Sequence, residues 1–146
     1  MYEIARIVAG FATAIGVAIA AWQIWRTAEQ SKTTFEDALS KEYRELIRAV
    51  PYKALIGQEL TDDEILGCKD AIFNYLDFCN QQIYLRSKKR IRCDTWMEWQ
   101  DGMKVNMTLP LFSEVAAEVF SQLPDVFEGL RRVMQEGFKS DPAQWY

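Results

Sequence analysis

Residues 7–25 read IVAGFATAIGVAIAAWQIW, a run of 19 residues without a charge that lies between Arg6 and Arg26. As a helix that rises about 1.5 Å per residue, this run would be roughly 28 Å long, close to the thickness of a bilayer's hydrocarbon core. Trp22 and Trp25 stand at its C-terminal edge, where indole rings favour the membrane–water interface, and Arg26 can extend its charge into water from there. We therefore expect residues 1–26 to form one transmembrane helix.

Two other interpretations of this run are open. A signal peptide contains an apolar stretch of a similar kind, and Ala18-Ile19-Ala20 resembles a cleavage site. A buried core helix is the second alternative, although 19 uncharged residues that are apolar all round are long for one. We expect the segment that begins at Met1 to be retained as a membrane span.

Basic residues are distributed unevenly around the run. Arg6 is the only one that precedes it, and four follow it closely: Arg26, Lys32, Lys41 and Arg44. The positive-inside rule then places the C-terminal side of the span in the cytoplasm.

Small residues form two rows along the span, with a spacing of four positions in each. The first row is Gly10, Ala14 and Ala18, and the second is Ala12, Gly16 and Ala20. Small residues let helix backbones approach closely in lipid, so they favour self-association, although alanine is also simply common in membrane helices. A single span cannot enclose a conducting path, so any pore requires an oligomer. The predicted oligomerisation or pore residues are Gly10, Ala12, Thr13, Gly16 and Ala20.

The remaining part of the chain, about 120 residues, is long enough to bury one core. It holds 15 basic and 20 acidic side chains, and this negative balance argues against bulk binding of nucleic acid. The absence of histidine excludes Ser–His–Asp and Cys–His catalysis and the common zinc sites. Cys68, Cys79 and Cys93 lack a Cys-x-x-Cys spacing and fit a reducing compartment. We expect a protein that is not an enzyme and needs no cofactor or metal.

Apolar residues recur at helical spacing throughout this part, and no segment shows the alternation of a strand. We predict an all-α fold in which one N-terminal transmembrane helix is followed by a cytoplasmic bundle of about four to five helices. Residues 27–50 would form a neck and the first cytoplasmic helix, and residues 51–138 a helical domain. Residues 139–146 read as a loose C-terminal tail, in which Trp145 and Tyr146 could dock.

Capping and proline signals predict where the helices begin. Thr61-Asp62-Asp63-Glu64 and Thr95-Trp96-Met97-Glu98 both have the pattern of a capping box. Residues 51–60 read as a connecting loop. Pro110 and Pro124 each fit the first turn of a further helix.

Five basic residues lie close together between two predicted helices: Arg86, Lys88, Lys89, Arg90 and Arg92. Such side chains neutralise phosphate, and Trp96 nearby could stack on a base, so these six residues are the candidate ligand-binding site for a nucleotide or oligonucleotide. Two alternatives stay open: a solvated turn that complements the negative end of the preceding helix, and contact with anionic lipid headgroups. The nearby aromatic residues Tyr75, Tyr84, Trp96 and Trp99 could equally be core residues.

Residues 74–85 read NYLDFCNQQIYL, residues 90–91 read RI, and residues 94–103 read DTWMEWQDGM. Followed by a proline and another helix, this combination resembles an uncharacterised helical domain of bacterial single-span membrane proteins. The resemblance covers about residues 35–135, together with the architecture of one span followed by a helical domain. The chain departs from the pattern at Lys88-Lys89, where a glycine turn is usual, and at Val119-Phe120, where a tryptophan often follows the proline.

Similar compact membrane proteins occur in antiphage defence operons, where oligomeric membrane effectors depolarise the cell. The resemblance therefore implies a homo-oligomeric effector in the bacterial inner membrane, regulated through its cytoplasmic domain by a ligand such as a nucleotide or oligonucleotide. The expected partners are the lipid bilayer, further copies of the chain and a protein from the same operon. A non-catalytic, membrane-anchored protein-binding module fits the same features and remains the alternative.

Overall fold

The computed structural model describes residues 2–145, apart from the side chains of residues 5 and 8. All regular elements in that range are helical, which confirms the predicted all-α fold class. The elements are α1 (Tyr2–Arg48), α2 (Tyr52–Leu55), α3 (Asp62–Ser87), α4 (Cys93–Thr108), α5 (Pro110–Gln122), α6 (Glu128–Gln135) and a 3₁₀ turn (Pro142–Gln144). The chain divides into two compact units, Met1–Phe35 and Glu36–Tyr146.

The first unit consists of the N-terminal part of α1. Within the described residues, α1 is the one helix long and apolar enough to cross a membrane, judged by length and composition. Its most apolar stretch is not buried at all by the rest of the chain. Large side chains such as Phe11 and Ile15 are consequently exposed.

The second unit is organised around α3, which packs against α5, α6 and the 3₁₀ turn, while α4 packs against α5. One stripe of α3 is buried, and it consists mainly of Cys68, Ile72, Tyr75, Leu76, Cys79 and Ile83. The helix begins with the predicted capping box, because the Thr61 hydroxyl accepts from the Glu64 N–H and the Glu64 carboxylate accepts from the Thr61 N–H. That N–H, together with Lys53, holds the pKa of the Glu64 carboxyl below its usual value.

The predicted capping box at Thr95–Glu98 is wrong, because a carboxylate from another helix takes its place. Helix α4 begins at Cys93 rather than after Thr95. The buried Glu36 of α1 accepts from the Arg92 N–H at 2.8 Å, from the Arg92 guanidinium at 3.2 Å and from the Thr95 hydroxyl at 3.1 Å. Glu36 therefore joins α1 to the start of α4.

Two further local predictions differ from the structure. The expected loop over residues 51–60 contains the single helical turn α2. Pro124 does not open a helix, because Phe127 adopts a left-handed conformation with φ of 58° and α6 begins only at Glu128. The Arg131 guanidinium holds the intervening turn by donating to the carbonyls of Phe120, Leu123 and Val126. By contrast, Pro110 does begin α5 as predicted.

The C-terminal residues up to 145 are not a loose tail. Asp141 pairs with Arg86 of α3, and the Ser140 carbonyl accepts from Gln100 of α4 at 2.7 Å. The Trp145 ring docks as considered, with the Arg132 guanidinium carbon 4.2 Å from its centroid. Tyr146, the other residue considered for docking, lies outside the described residues. Polar contacts to α3 and α4 thus tie down a segment whose own sequence carries no strong helical signal.

Two glycines in helices provide a matched test of this packing. A Cβ on Gly67 in α3 meets nothing within 4 Å, whereas one on Gly129 in α6 would lie 3.0 Å from Ile83 and 3.1 Å from Asn80. We expect Gly67→Ala to raise the free energy of unfolding by about 0.5–1 kcal/mol, because alanine restricts the unfolded chain. Gly129→Ala should lower it by about 1 kcal/mol through overpacking. Thermal unfolding of the full chain in detergent measures both effects. A higher free energy of unfolding for Gly129→Ala would contradict the packing described for α3 and α6.

Candidate functional site

The first residue of the predicted basic site, Arg86, is buried and forms hydrogen bonds within the folded protein. It is 8% exposed and donates from Nε at 2.7 Å and from Nη2 at 2.5 Å to the two oxygens of Asp141, and from Nη1 to the Ile91 carbonyl at 2.7 Å. The paired carboxylate raises the pKa of Arg86, and Arg86 in turn holds the pKa of Asp141 below its usual value. Both charges are satisfied, so Arg86 is a structural residue in this conformation.

Arg92 and Trp96 are likewise built into the fold. The half-buried Arg92 binds Glu36 through its backbone and its guanidinium. The Trp96 indole is 1% exposed, and its N–H points to the Ser140 carbonyl at 3.4 Å. An indole enclosed in this way has no free face, so the predicted stacking of Trp96 on a base does not fit this conformation.

Lys88, Lys89 and Arg90 are the exposed members of the basic segment. Their backbone N–H groups donate to carbonyls of the last turn of α3. The Lys89 N–H donates to the Arg86 carbonyl, and the Arg90 N–H donates to the Leu85 carbonyl. Lys89 has a φ of 58°, the left-handed conformation that favours glycine. The Lys88 ammonium lies 5.4 Å from the centre of the Tyr84 ring. This geometry supports the helix-end interpretation for the backbone, while the anion-binding role of the three side chains stays a prediction.

The predicted oligomerisation residues Gly10, Ala12, Thr13, Gly16 and Ala20 are all exposed on α1. A Cβ on Gly10 or on Gly16 would meet nothing within 4 Å. The Thr13 hydroxyl donates to the Ala9 carbonyl of its own helix at 2.9 Å. At the predicted membrane interface, Trp22 and Trp25 are exposed, and the Arg26 guanidinium carbon lies 5.4 Å from the Trp22 ring centroid.

A cleft of about 370 Å³ opens in the second unit between α1, α3 and α4. Its lining combines aromatic, amide and charged side chains, which are contributed by Ser40, Tyr43, Arg44, Tyr75, Gln82, Glu98, Trp99, Gly102 and Met103. Small-molecule sites typically occupy about 300–1,000 Å³ and combine an apolar wall with a few polar groups. The cleft therefore has the size and composition of a ligand site.

The polar lining of the cleft includes the largely buried Gln82 of α3. Gln82 is 5% exposed, yet its side-chain amide forms no hydrogen bond with any described residue. The fully enclosed side-chain atoms of described residues that lack a partner are Ser140 Oγ and Trp145 Nε1, so the Gln82 amide keeps contact with the open cleft. A buried amide that faces a cleft is a natural contact for a ligand or an ordered water.

Burial keeps two titratable groups of α3 neutral: Tyr75, which lines the cleft, and Cys79, which lies next to Tyr75. Burial raises the pKa of the Tyr75 hydroxyl well above its usual value, and this hydroxyl accepts from the Asn106 amide at 3.0 Å. Burial also raises the pKa of the Cys79 thiol to about 12, which removes it as a nucleophile at neutral pH. Among residues 2–145, no three metal-ligating side chains are grouped as a metal site would need.

Sequence reasoning missed the cleft because each of its residues has an ordinary helical explanation. Tyr75, Trp99 and Met103 read as parts of apolar stripes. The one local signal is Gln82, an uncharged polar residue on the buried side of α3 beside Ile83 and Cys79. The cleft itself appears only when the C-terminal part of α1 is brought against α3 and α4.

The Arg86–Asp141 pair predicts how stability depends on pH. Because the folded pKa of Asp141 is lowered, the pair stabilises the protein above the carboxyl's unfolded pKa, and this contribution is lost as the pH falls through the folded value. Asp141→Asn should lower the free energy of unfolding by about 1.5–3 kcal/mol at about pH 7, and the difference from the parent should shrink below about pH 4. Thermal unfolding across that range measures this, with the exposed Asp125→Asn as the control. A difference that does not change with pH would show that the ion pair is not its source.

The Glu36 contact predicts a second stability effect. Glu36→Ala removes an acceptor that three donors at the start of α4 use. We therefore expect the free energy of unfolding to fall by about 1.5–3 kcal/mol. Glu42→Ala, an exposed glutamate on the same helix, is the matched control and should change stability little. Near-ultraviolet circular dichroism during thermal unfolding follows the packing of Trp96 next to this contact. Equal unfolding midpoints for the two variants would refute the role of Glu36.

The sequence matches no protein-family model, and it has no significant match among curated proteins or among solved structures.

Proposed function

We propose that the chain is a homo-oligomeric effector of the bacterial inner membrane, which depolarises the cell in antiphage defence when its cytoplasmic domain is triggered. The observation that carries the proposal is the apolar run of α1, none of which the chain itself buries. Apolar surface of this extent is unfavourable in water, so lipid or other copies of the chain must cover it. The excess of basic residues after the run supports a cytoplasmic location for the second unit.

The face of α1 that contains Gly10, Thr13 and Gly16, spaced three positions apart and here called the small-residue face, supports self-association. Gly10 and Gly16 leave open space on that face, which allows a second helix backbone to approach closely. Helical spacing puts Phe11 and Ile15 on the opposite face. The single hydroxyl in this run, that of Thr13, is already donated within the helix, which leaves an apolar surface. Such a surface fits a closed, dewetted pore that opens by rearrangement of the helices rather than a permanently water-filled channel.

Regulation through the second unit requires that a trigger bind one state of the oligomer more tightly than the other. Helix α1 contains both the apolar run and residues of the second unit, since it extends to Arg48. A change in the packing of its C-terminal part against α3 and α4 thus acts on the same helix that carries the span. The exposed cations Lys88, Lys89 and Arg90 and the cleft are the two surfaces on which such a trigger would act.

A membrane-anchored protein-binding module is the second candidate. Three large apolar side chains of the second unit are exposed. Tyr52 on α2 is 74% exposed and Leu66 on α3 is 67% exposed, and Ile56, directly after α2, is partly exposed. Exposed apolar side chains of this size favour contacts with another protein. In this alternative the span only anchors the domain, so its amino-acid sequence would matter little.

Membrane potential in bacteria that express the chain separates the two candidates. We expect the full-length protein to depolarise cells, as measured with a potential-sensitive dye, and we expect a variant with leucine at residues 8–21 to be inactive despite normal membrane insertion. The isolated residues 27–146 should also be inactive, because they lack the span. Depolarisation that survives the poly-leucine span, or none by the native chain without or with phage challenge, would overturn the pore proposal and favour the anchored module.

A matched pair of span variants sharpens this test. Gly10→Leu with Gly16→Leu fills the small-residue face, whereas Phe11→Leu with Ile15→Leu alters the opposite face at similar hydrophobicity. We expect only the glycine pair to abolish depolarisation and to reduce crosslinking between copies. Equal effects of both pairs would mean that this face is not the interface.

A further inference from the structure

We infer that the cleft between α1, α3 and α4 is a binding site for a nucleoside monophosphate or for one such unit of a larger nucleotide. This inference rests on the proposed function for its regulatory meaning, although binding itself can be tested independently. It moves the predicted ligand from the basic segment, whose Arg86, Arg92 and Trp96 are used inside the fold, to a site that sequence reasoning did not identify. The lining of the cleft provides contacts for the three chemical parts of such a ligand, which are the base, the sugar and the phosphate.

The walls of the cleft fit the faces of a base. Tyr43, Trp99 and Met103 line it, and aromatic rings in this setting bind planar heterocycles by stacking, which contributes about 1–3 kcal/mol per base. The Asn106 amide donates to the hydroxyls of Tyr43 at 3.4 Å and Tyr75 at 3.0 Å. Because these contacts hold the tyrosine rings in place before a ligand arrives, less conformational entropy is lost on binding.

The amide of Gln82 fits the edge of a base. It presents one donor group and one acceptor oxygen, the pair of functions by which glutamine and asparagine recognise nucleobases. Among described residues it has no partner, although it is more than nine-tenths buried and lines the cleft. A base edge that supplies both a donor and an acceptor would form two hydrogen bonds with this amide.

The two charges of the cleft fit the sugar and the phosphate. Arg44 is exposed and forms no ion pair with a described residue, so its guanidinium is available for bidentate contact with a phosphate. Glu98 is exposed on α4 and can accept hydrogen bonds from ribose hydroxyls, as acidic residues do in dinucleotide-binding folds. With Arg44 placed for an anionic group and Glu98 for hydroxyl donors, the cleft suits a ligand that carries a phosphate, a sugar and an aromatic part.

Calorimetric titration of the full-length chain in lipid nanodiscs tests this assignment. The probes are AMP, GMP, CMP and UMP, and ribose 5-phosphate serves as the probe that lacks a base. We expect saturable binding of at least one nucleotide and at least about tenfold weaker binding of ribose 5-phosphate, which corresponds to about 1.4 kcal/mol. Absence of binding by all four nucleotides, or equal binding of ribose 5-phosphate, would overturn the inference.

Matched variants locate the site. Gln82→Met should weaken nucleotide binding by about tenfold, while Gln81→Met, its exposed neighbour on α3, should not change it. Arg44→Gln should weaken binding by a similar factor and reduce its dependence on salt, whereas Arg48→Gln, one turn further along α1, should have little effect. Because Arg44 is exposed, its replacement keeps the test valid even if Gln82→Met misfolds. Binding unaffected by Arg44→Gln, or weakened instead by Lys88→Glu with Arg90→Glu, would place the ligand elsewhere.

Failure of this inference is distinguishable from failure of the proposed function. Nucleotide binding by the purified chain without depolarisation in cells would leave the cleft assigned and refute the pore. Depolarisation in cells without nucleotide binding would support the pore and refute the assignment of the cleft.

Discussion

Helix α3 has to bury an apolar face from Cys68 to Leu85, and no single neighbour is long enough to cover it. Helices α5 and α6 and the C-terminal 3₁₀ turn therefore pack against different parts of it. Residues that are far apart in sequence, such as Ile72, Phe112 and Leu130, become fully buried together in one core. The positions of the turns follow from this arrangement, since each connection only has to return the next helix to α3.

The packing of these helices also buries several polar side chains, most of which form hydrogen bonds to distant segments. Four polar or charged side chains of the described residues are buried: Glu36, Gln82, Arg86 and Gln100. Three of them have clear hydrogen-bond partners, and each joins segments that lie 40 to 59 positions apart in the sequence. Gln82 is the exception, and it faces the cleft. Among the described residues, the Ser140 hydroxyl and the Trp145 indole N–H are also buried without a partner, but neither lines this cleft.

The basic segment shows that a cluster of charged residues in the sequence does not reveal which partners those side chains contact in the fold. Five cations within seven residues read as one anion site, yet Arg86 and Arg92 point to Asp141 and Glu36, which lie 55 and 56 positions away. A charge is neutralised by whichever carboxylate the packing brings close. The apolar run of α1 is the opposite case, because nothing within the chain covers it and its chemistry alone requires another environment.

The sequence by itself determined the all-α class, the apolar N-terminal helix, the capping box at Thr61 and the start of α5 at Pro110. These features depend on residues within about one helical turn of each other or on the composition of one continuous segment, so they can be predicted locally. Only the tertiary structure decided the cap of α4 by Glu36, the docking of the C-terminal residues and the cleft around Gln82. Each of these depends on side chains that come together from distant segments, and the packing that unites them is set by the burial of whole helix faces rather than by any local pattern.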